Sequence, residues 1–536
     1  MVYLFQRRKR MQSLLNLGYG FCLFTLFACS ENDMVTENEK TLSKEVVIDV
    51  NKRYQSLEGF GASDCWMPSY VGKTWMNGRT AITELLFSSE IDNGEPKGIG
   101  LSQWRVNLGG GTAEQGDNSG IEDKSRRAES YLTSYLTYDW ERCEGQRYFM
   151  AQAREFGCKD FILFSNTPPV QYTYNGKGFS NQGAFSNLKE EHYGDFADYM
   201  AEVAAFYTNQ GYRITHISPV NEPQYNWEGG QEGSGWTNEQ VARLVRNLDS
   251  KLTEKGLDTD ILVGEAGNWK YLYQQEGDKL RGDVMSAFFS SSSSSYIGNL
   301  SHVKKLICGH SYWTDGTWDG MREVRQRVAE KATSLGLELW QTEWSMLGEG
   351  YDPLEFVGFD VASEMDIALY MSKVIYNDLT VAGVSSWCYW TAMDIPHWGH
   401  KNRFLLISLL PGGGEWGDIE QEGSFRATSN LWVLGNYSRF IRPQYRRISL
   451  EMEESRKLFG TAWLSPLEDI IVAVYTNLSE KDIYLKETYK NQSKTLKSIK
   501  TYTTNENKNL EENSLSIGQD VVLSPKSVMT VVYTFE

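Results

Sequence analysis

Residues 216–224 read His216-Ile-Ser-Pro-Val-Asn-Glu222-Pro-Gln224, and residues 339–345 read Leu339-Trp-Gln-Thr-Glu343-Trp-Ser345. Each stretch is an apolar, strand-like run that ends in a glutamate. About three β/α units of chain separate the two glutamates. Enzymes built on a β/α barrel carry their catalytic residues at the C-terminal ends of the parallel strands. The two stretches therefore predict a parallel sheet that presents one carboxylate at the end of each of two strands.

Runs of the same kind recur regularly between residues 56 and 390. The predicted strands are Ser56–Ala62, Ser102–Val106, Phe161–Ser165, Ile214–Val220, Ile261–Glu265, Leu306–Tyr312, Leu337–Glu343 and Val384–Trp390. Helical patterns lie between several of them, such as Val241–Lys255, which follows the capping-box residues Thr237 and Gln240, and Ser363–Leu379. Eight β/α alternations predict an α/β fold, a (β/α)8 TIM barrel with long loops.

The composition changes after about residue 430. Over residues 456–536 short alternating runs are separated by Asn, Ser, Lys and Gly turns, which is typical of an all-β unit. We therefore predict a catalytic barrel over residues 56–430 and a fused C-terminal β-sandwich side domain over residues 431–536.

The first 29 residues are typical of an export signal. A basic run, Arg7-Arg-Lys-Arg10, precedes the apolar stretch Leu14–Ala28, and Leu26-Phe-Ala-Cys29 resembles a bacterial lipoprotein box. We predict a lipoprotein signal peptide over residues 1–29, lipid on Cys29 and a flexible tether over residues 30–44. The protein would be an outer-membrane lipoprotein on the surface of a Gram-negative bacterium and touch membrane only through that lipid. The alternative is a plain secretory signal with a chance cysteine.

The overall composition limits the partners. Hydrophobic residues make up 40% of the chain and charged residues 23%, which is enough to bury a full core. A net charge of −17 argues against nucleic acid and anionic membrane surfaces, whereas a neutral polysaccharide is compatible with it. The 17 Trp and 30 Tyr residues suit the stacking of sugar rings. A monomer is predicted.

No metal site and no cofactor are predicted. The chain has six His, and His397 and His400 are the close pair, without carboxylates at matching helical spacing. The cysteines beyond Cys29 have no CxxC spacing, so the sequence implies neither a disulfide framework nor a zinc site.

Two carboxylates at the ends of different strands are what glycoside hydrolysis needs. Glu222 fits a general acid whose neighbour Asn221 binds a sugar hydroxyl, and Glu343 fits a nucleophile that stays ionised. Arg105, on the second strand, is suitably placed to hold Glu343 ionised. The residues themselves therefore predict a glycosidase.

Motifs on further strands resemble glycoside hydrolase family 30. They are Gly59-Phe-Gly-Ala62, Trp104-Arg-Val-Asn-Leu-Gly109, Phe164-Ser-Asn-Thr-Pro-Pro169, Trp387-Cys-Tyr-Trp390 and Leu434-Gly-Asn-Tyr-Ser-Arg-Phe-Ile-Arg-Pro443. The resemblance implies a retaining (β/α)8 enzyme whose β-sandwich also includes strand residues before the barrel, here 45–55. It further implies that Glu222 is the acid/base and Glu343 the nucleophile.

The substrate is predicted from the third and fourth strands. The family often reads Ser-Pro-Pro-Trp where this chain has Thr167-Pro-Pro-Val170, which disfavours the glucosylceramidase-like and glucuronoxylanase branches. Asn221–Glu228, followed by Gln231–Ser234, resembles the endo-β-1,6-galactanase branch, which implies cleavage of arabinogalactan side chains. A β-1,6-glucanase or xylanase of the same family stays open. So does a non-catalytic surface glycan-binding lipoprotein, although the presence of both glutamates argues against it.

Further residues at the strand ends are predicted to contact substrate. They are Asp64, Trp66, Arg105, Asn107, Asn166, Asn221, Trp227, Glu265, His310, Tyr312 and Trp390. In the loop after Glu222, Trp227 or Tyr225 would stack a galactose ring. Glu228 and Glu232 would either bind hydroxyls or order that loop.

Overall fold

The computed structural model describes residues 42–536. Its strands are β1 (Leu42–Ser56), β2 (Gly59–Ser63), β3 (Ile91–Asp92), β4 (Glu95–Pro96), β5 (Gln103–Asn107), β6 (Asp160–Phe164), β7 (Ile214–Ser218), β8 (Asp260–Ile261), β9 (Leu306–His310), β10 (Glu338–Glu343), β11 (Ser386–Tyr389), β12 (Met393–Asp394), β13 (Ile407–Leu410), β14 (Ser424–Ala427), β15 (Arg446–Met452), β16 (Leu458–Leu464), β17 (Ile470–Asn477), β18 (Ile483–Lys490), β19 (Leu496–Asn505), β20 (Lys508–Leu515), β21 (Val521–Leu523) and β22 (Ser527–Phe535). Its α-helices are α1 (Met67–Thr74), α2 (Arg79–Phe87), α3 (Thr112–Gln115), α4 (Glu144–Glu155), α5 (Tyr193–Asn209), α6 (Asn238–Lys255), α7 (Lys270–Tyr273), α8 (Val284–Phe289), α9 (Trp318–Leu335), α10 (Glu364–Asn377) and α11 (Ser429–Ser438).

The site-bearing part is an eight-stranded sheet in the order β8-β7-β6-β5-β2-β11-β10-β9, with every neighbouring pair parallel. Backbone hydrogen bonds join the two ends of this order: the Cys308 N–H donates to the Val263 carbonyl at 3.0 Å, and the His310 N–H to that of Ala266 at 2.9 Å. The eight strands predicted from the sequence are all present, which confirms the α/β class. An eight-membered parallel order with joined ends is the arrangement that a (β/α)8 barrel requires.

Helices connect the parallel strands, as a crossover between parallel strands demands. The Thr237 hydroxyl accepts from the Gln240 N–H at 3.2 Å, and the Gln240 side chain accepts in return from the Thr237 N–H, so the predicted capping box at α6 is confirmed. Ser363 caps α10 in the same way, with Asp366 as its partner. Both caps satisfy backbone donors that a helix start leaves unpaired.

The packing around the parallel strands explains why apolar and polar residues do not alternate along them. All residues of β2, β5, β6 and β9 are buried, because the helices cover one face and the opposite face points to the interior of the sheet. That interior holds a small apolar cluster with Ile162, Leu262, Cys308 and Trp340. Such a packed interior fixes the strand ends from which the functional side chains project.

The C-terminal strands form a second sheet in the order β20-β19-β22-β17-β16-β15-β1-β18-β21. Strand β1 lies inside it, antiparallel to β15 and parallel to β18, so the chain enters this sheet before it enters the parallel one. The Ser372 hydroxyl of α10 lies 2.6 Å from the Thr476 hydroxyl of β17, which joins the two parts. Because these strands pair in one continuous sheet, the sandwich stays a prediction.

The N-terminal predictions fall mostly outside the described residues. The signal peptide, Cys29 and the tether up to residue 41 all lie there, and β1 begins at Leu42, within the predicted tether. Over residues 42–536, no helix combines the length and the apolar character needed to span a membrane.

Candidate active site

Glu222 and Glu343 line the same cavity, although Glu222 follows strand β7 and Glu343 ends strand β10. Glu343 is the last residue of β10, whereas Glu222 lies four positions beyond the end of β7. The backbone of Glu222 has φ +40, and its N–H donates to the Glu265 carbonyl at 2.9 Å. A Cβ on Gly267 would lie 3.2 Å from the Glu222 Oε1 atom, so a residue without a side chain keeps that carboxyl uncrowded.

His310 lies between the two carboxyls. Its Nδ1 is 2.9 Å from Oε1 of Glu222 and 3.5 Å from Oε2 of Glu343. One oxygen of each glutamate and this nitrogen all lie within 4.8 Å of one another. The other ring nitrogen, Nε2, is 3.0 Å from Oε2 of Glu265. Both ring nitrogens therefore face carboxyl groups, and both can donate at the same time when the imidazole is protonated.

Arg105 supplies the second positive charge. Its Nη1 contacts Oε1 of Glu343 and donates to the Ser63 hydroxyl at 3.0 Å. Its Nη2 donates to Oδ1 of Asn221 at 3.1 Å and lies 3.3 Å from Oε1 of Glu265. The guanidinium is completely buried, so these charge-assisted bonds act without competition from water. The sequence-based expectation that Arg105 pairs with Glu343 is confirmed.

The pKa values of Glu343, His310 and Glu265 shift in different ways because burial and neighbouring charges act on each of them differently. Burial raises the pKa of Glu343, and His310 and Arg105 oppose that rise. Burial alone would lower the pKa of His310, but Glu343, Glu222 and Glu265 together raise it to about 10. Burial disfavours ionised Glu265 too, yet Arg105 and His310 hold the pKa of that carboxyl well below its usual range. Below the pKa of His310, Glu265 and His310 therefore form an ion pair behind the two glutamates.

The side chain of Glu265 has every oxygen occupied inside the protein. It accepts from the Ser218 hydroxyl at 2.5 Å and from the Thr342 hydroxyl at 2.7 Å, in addition to His310 and Arg105. Its role in this arrangement is to orient His310 and to balance the charge of Arg105.

The side chains of Glu222, His310 and Glu343 are also close enough together to surround a cation. A protonated imidazole has no lone pair for a metal, so the hydrogen-bonded arrangement and a bound ion exclude each other.

A cavity of about 470 Å³ opens directly above the two glutamates. That volume is in the range of small-ligand sites. Its walls are rich in aromatic and uncharged polar side chains. It is lined by Trp66, Asn221, Glu222, Gln224, Tyr225, Trp227, Gln231, Gly267, Asn268, Tyr271, Tyr312, Trp313, Glu343, Leu347, Trp390, Thr391, Asp394 and Phe404. Aromatic faces with a few polar groups and three acidic side chains suit a carbohydrate.

The predicted substrate-contacting residues divide into two groups. Trp66, Asn221, Trp227, Tyr312 and Trp390 line the cavity, and the Tyr312 hydroxyl donates to Oε2 of Glu343 at 3.4 Å. Trp66 and Trp390 pack edge to face at 5.4 Å between ring centroids. These five side chains meet around the two glutamates although they follow four different strands, β2, β7, β9 and β11.

The other predicted contacts lie behind the cavity wall, where protein groups occupy them. Asp64 accepts from the Asn107 N–H and from the Gln146 amide, each at 2.8 Å, and burial raises its pKa to about 7. Asn107 accepts in turn from the Asn166 amide at 3.3 Å. With Arg105, Glu265 and His310, these residues form a polar layer beneath the groups that line the cavity, and their contact with substrate stays a prediction.

The loop after Glu222 is ordered from within. Trp227 donates from its indole Nε1 to the Glu222 carbonyl at 3.2 Å and packs edge to face against Tyr225 at 5.0 Å. Glu232 is fully buried and accepts from the Gly110 N–H at 2.9 Å and the Thr112 hydroxyl at 2.6 Å. Of the two alternatives for Glu232, the structure favours the loop-ordering role, whereas Glu228 is exposed.

Among the cavity residues that the sequence did not predict, three carry aromatic or acidic side chains near predicted positions. Trp313 is 58% exposed beside Tyr312, Tyr271 follows the strand that leads to Glu265, and Asp394 comes four residues after Trp390. Each lies a few positions beyond a predicted residue at a strand end. An aromatic or acidic residue a few positions after a predicted strand end could have indicated each of them. The loop conformation that brings its side chain to the cavity cannot be predicted from the sequence.

Comparison with known proteins agrees with this geometry. The model of O-glycosyl hydrolase family 30 matches residues 43–401, which include both glutamates and all eight parallel strands. The endo-β-1,6-galactanase of Hypocrea rufa is 24% identical over 417 residues, which is 74% of this chain and 74% of that protein.

Two solved structures share the fold over most of this chain. A conserved exported protein from Bacteroides fragilis superposes with a TM-score of 0.83 at 28% identity, over 91% of this chain and 100% of that chain. The catalytic domain of a xylanase C from Talaromyces cellulolyticus superposes with a TM-score of 0.64 at 19% identity, over 91% and 100% of the two chains. At that lower identity the second likeness concerns the fold alone.

Proposed function

We propose that this chain, which belongs to O-glycosyl hydrolase family 30, is a retaining endo-β-1,6-galactanase that cleaves the galactan side chains of arabinogalactan. As a member of this family it is a glycoside hydrolase, and its substrate is a carbohydrate. The proposal adds the linkage, the sugar and the stereochemistry. It also takes the parallel strands as a closed barrel and the C-terminal strands as a sandwich.

The stereochemical part rests on one observation, the approach of a Glu222 oxygen to a Glu343 oxygen within 4.8 Å. Retaining glycosidases hold their two carboxyls roughly 5–5.5 Å apart, because the second carboxyl must reach the anomeric carbon itself. Inverting enzymes need about 6.5–9.5 Å to admit a water molecule between carboxyl and sugar. The short distance between these two oxygens supports the retaining geometry.

In the first step Glu343 attacks the anomeric carbon while Glu222 gives its proton to the departing oxygen. This needs the charge on Glu343 and the proton on Glu222. Arg105 contacts Glu343 and not Glu222, which favours that distribution. Tyr312, whose hydroxyl also donates to Glu343, keeps the attacking carboxylate aimed into the cavity.

In the second step Glu222, now ionised, takes a proton from water, and the resulting hydroxide displaces Glu343 from the sugar. His310 donates to Glu222 at 2.9 Å and therefore stabilises the ionised state that the first step creates. The cation of His310 also faces Glu343 at 3.5 Å, which supports that group as it leaves. The two carboxyls thus act as one coupled unit.

The galactanase assignment draws on the similarity to the Hypocrea rufa enzyme and on the loop after Glu222. In that loop Trp227 and Tyr225 border the cavity next to the acid/base. The Oδ1 atom of Asn221 accepts from Arg105, so the Nδ2 group is the part of this cavity-lining amide that would donate to a sugar hydroxyl. The cavity has no Lys or Arg among its lining residues, as suits an uncharged galactose chain.

The deciding experiment compares cleavage of β-1,6-galactan, β-1,6-glucan and xylan, with proton NMR of the products formed first. We expect β-1,6-galactan to be cleaved best, with the β configuration kept at the new reducing end. Better cleavage of β-1,6-glucan or xylan would replace the substrate but not the mechanism. An α-configured first product would overturn the retaining mechanism.

We further propose that the protein is exported and lipidated at Cys29. The basic and apolar composition of residues 7–28 supports this proposal, and so does the similarity to an exported protein from Bacteroides fragilis. A surface position would place the enzyme where polysaccharide is available. Fractionation of cells that express the full chain tests this part separately.

A further inference from the structure

Trp416 is an aromatic residue that the catalytic cavity does not account for. It lies between β13 and β14, in the loop of residues 411–423, and 81% of its surface is exposed. Its ring stacks on His397 with centroids 4.2 Å apart and an interplanar angle of 10°. His397 is fixed because its Nδ1 donates to the Glu415 carbonyl at 2.9 Å. One face of the indole is therefore supported while the opposite face is open.

The loop that carries Trp416 is anchored to the body of the protein. Trp75 donates from its buried indole to the Ile419 carbonyl at 2.8 Å. Glu422 accepts from the Gly78 N–H at 2.7 Å, at the start of helix α2. An exposed aromatic residue on an anchored loop loses little conformational freedom when it binds a partner, and for that reason such residues are effective in recognition.

A row of neighbouring aromatic and cationic side chains connects Trp416 to the wall of the cavity. The Arg126 guanidinium lies between two rings, 4.6 Å from the centroid of Trp66 and 4.3 Å from that of Trp398. Trp398 is 4.8 Å from His397, which carries Trp416. Trp66 lines the cavity. The row therefore runs outward from the place where the reacting sugar would bind.

The position of this row in the sheet is opposite the loop of the acid/base. In the order of the parallel strands, β11 lies four places from β7, which is the far side of an eight-membered ring. Trp416 follows β11, whereas Trp227 follows β7. A glycan chain that passes over Glu222 and Glu343 would leave the cavity towards Trp227 at one end and towards Trp416 at the other.

We propose that Trp416, supported by His397, is a stacking platform for a hexopyranose unit of the glycan several sugars away from the cleaved bond. This inference rests on the proposed function, since its ligand is the β-1,6-linked galactan chain. The apolar C–H face of a sugar ring packs on an aromatic face. The loop carries Glu415, Asp418, Glu420 and Glu422, of which Asp418 and Glu420 face the ammonium group of Lys124. The loop therefore has no excess of positive charge for an acidic polysaccharide and suits a neutral one.

The experiment measures kcat/KM on β-1,6-galacto-oligosaccharides of increasing length. For Trp416→Ala we expect about a tenfold loss on the long oligosaccharides, the order of one stacked contact, and no loss on the shortest substrate that is cleaved. Trp416→Phe should recover most of the activity on long substrates. Leu467→Ala, an exposed apolar residue in the turn between β16 and β17, is the matched control and should show no length effect.

A binding measurement separates this inference from the proposed function. Glu343→Gln, with and without Trp416→Ala, is run through native gels that contain β-1,6-galactan, and we expect the second substitution to reduce retardation. Normal cleavage with no dependence on length would overturn the platform and leave the galactanase. If Trp416→Ala reduces the retardation of Glu343→Gln but the wild type does not cleave galactan, the platform is supported and the galactanase is overturned. Neither cleavage nor retardation would overturn both.

Discussion

The Nδ1 atom of His310 lies 2.9 Å from Oε1 of Glu222, the carboxyl that we assign as acid/base. The same imidazole faces Glu343 and donates to Glu265, so one cation is shared by two buried carboxyls and the partly buried carboxyl of Glu222. His310 itself is completely buried. Removal of its charge would leave like charges facing one another at the end of the sheet.

This arrangement predicts how stability depends on pH. The pKa of His310 is about 10 in the folded protein and has a usual value of 6.5, so folding favours the protonated form. The stabilising contribution is therefore complete below about pH 6.5 and is lost progressively as the pH rises towards about 10. Urea unfolding across that range should show a steeper loss of stability for the wild type than for His310→Gln.

The exposed His400 provides the control for this measurement. His400→Gln should keep the wild-type pH dependence, because its ring is not enclosed by carboxyls. If His310→Gln and the wild type lose stability in parallel between about pH 6.5 and 10, His310 is neutral and our assignment of its charge is wrong.

Arg105 gives a prediction about stability rather than pH. Arg105→Gln leaves Glu265 and Glu343 buried without their positive partner, which costs about 3–5 kcal/mol of unfolding free energy. Arg327→Gln is the matched control, because Arg327 pairs with Glu323 on the exposed face of α9 and its loss costs about 0–1 kcal/mol. Chemical denaturation of both variants checks the difference. Equal losses would contradict the central position of Arg105.

The fold was largely predictable because its signals are local. An apolar run such as Leu306–Tyr312 is bounded by turn residues, and a capping box such as that of Thr237 and Gln240 marks a helix start. Strand β8 shows the limit: Ile261–Glu265 reads as a full strand, but ladder pairing covers only Asp260 and Ile261. Beyond them, Glu265 has φ +41 and turns toward His310, a choice made by tertiary contacts.

The site was predictable only in part. Glu222, Glu343 and Arg105 stand out because charged residues at the ends of buried strands need a reason. The sequence does not reveal that Asp64 and Glu265 accept hydrogen bonds from other protein groups. An acidic residue at a strand end has the same sequence signature whether its side chain is buried or faces a cavity. Trp313 was missed for a similar reason, because its inward position depends on the backbone turn at φ +54.

The two catalytic glutamates should respond differently to substitution. Glu343→Ala should abolish turnover of every glycoside, because no covalent intermediate can form. Glu222→Ala should lose about 10²–10⁴-fold on galactan but far less on an aryl galactoside, whose good leaving group needs no acid. Azide should restore deglycosylation in Glu222→Ala and give a β-azide product. Identical responses of both variants to azide and to the leaving group would reverse or remove the assignment.

The lipid anchor is tested by fractionation of cells that express the full chain. The wild type should partition with the outer membrane and become labelled with a fatty-acid analogue, because Cys29 follows a lipoprotein-box-like tripeptide. Cys29→Ser should release the protein in soluble form without label. Ser30→Ala, one position further along, should behave as the wild type. Recovery of unlabelled, soluble wild type would show a plain secretory signal.

Trp227 decides how the loop after Glu222 contributes to binding. Its ring borders the cavity and its indole donates to the Glu222 carbonyl, so it can both stack a sugar and hold the acid/base in place. Trp227→Ala should lower kcat/KM on β-1,6-galactan by about one to two orders of magnitude, as a lost stacking contact of ~1.5–3 kcal/mol implies. Trp227→Phe keeps an aromatic ring but removes the indole donor. A change in KM that both variants share therefore measures the hydrogen bond to the Glu222 carbonyl. A kcat/KM that Trp227→Phe recovers relative to Trp227→Ala measures stacking. Thermal unfolding should stay cooperative in both. If Trp227→Ala instead loses cooperative unfolding, Trp227 belongs to the core and not to a sugar-binding subsite.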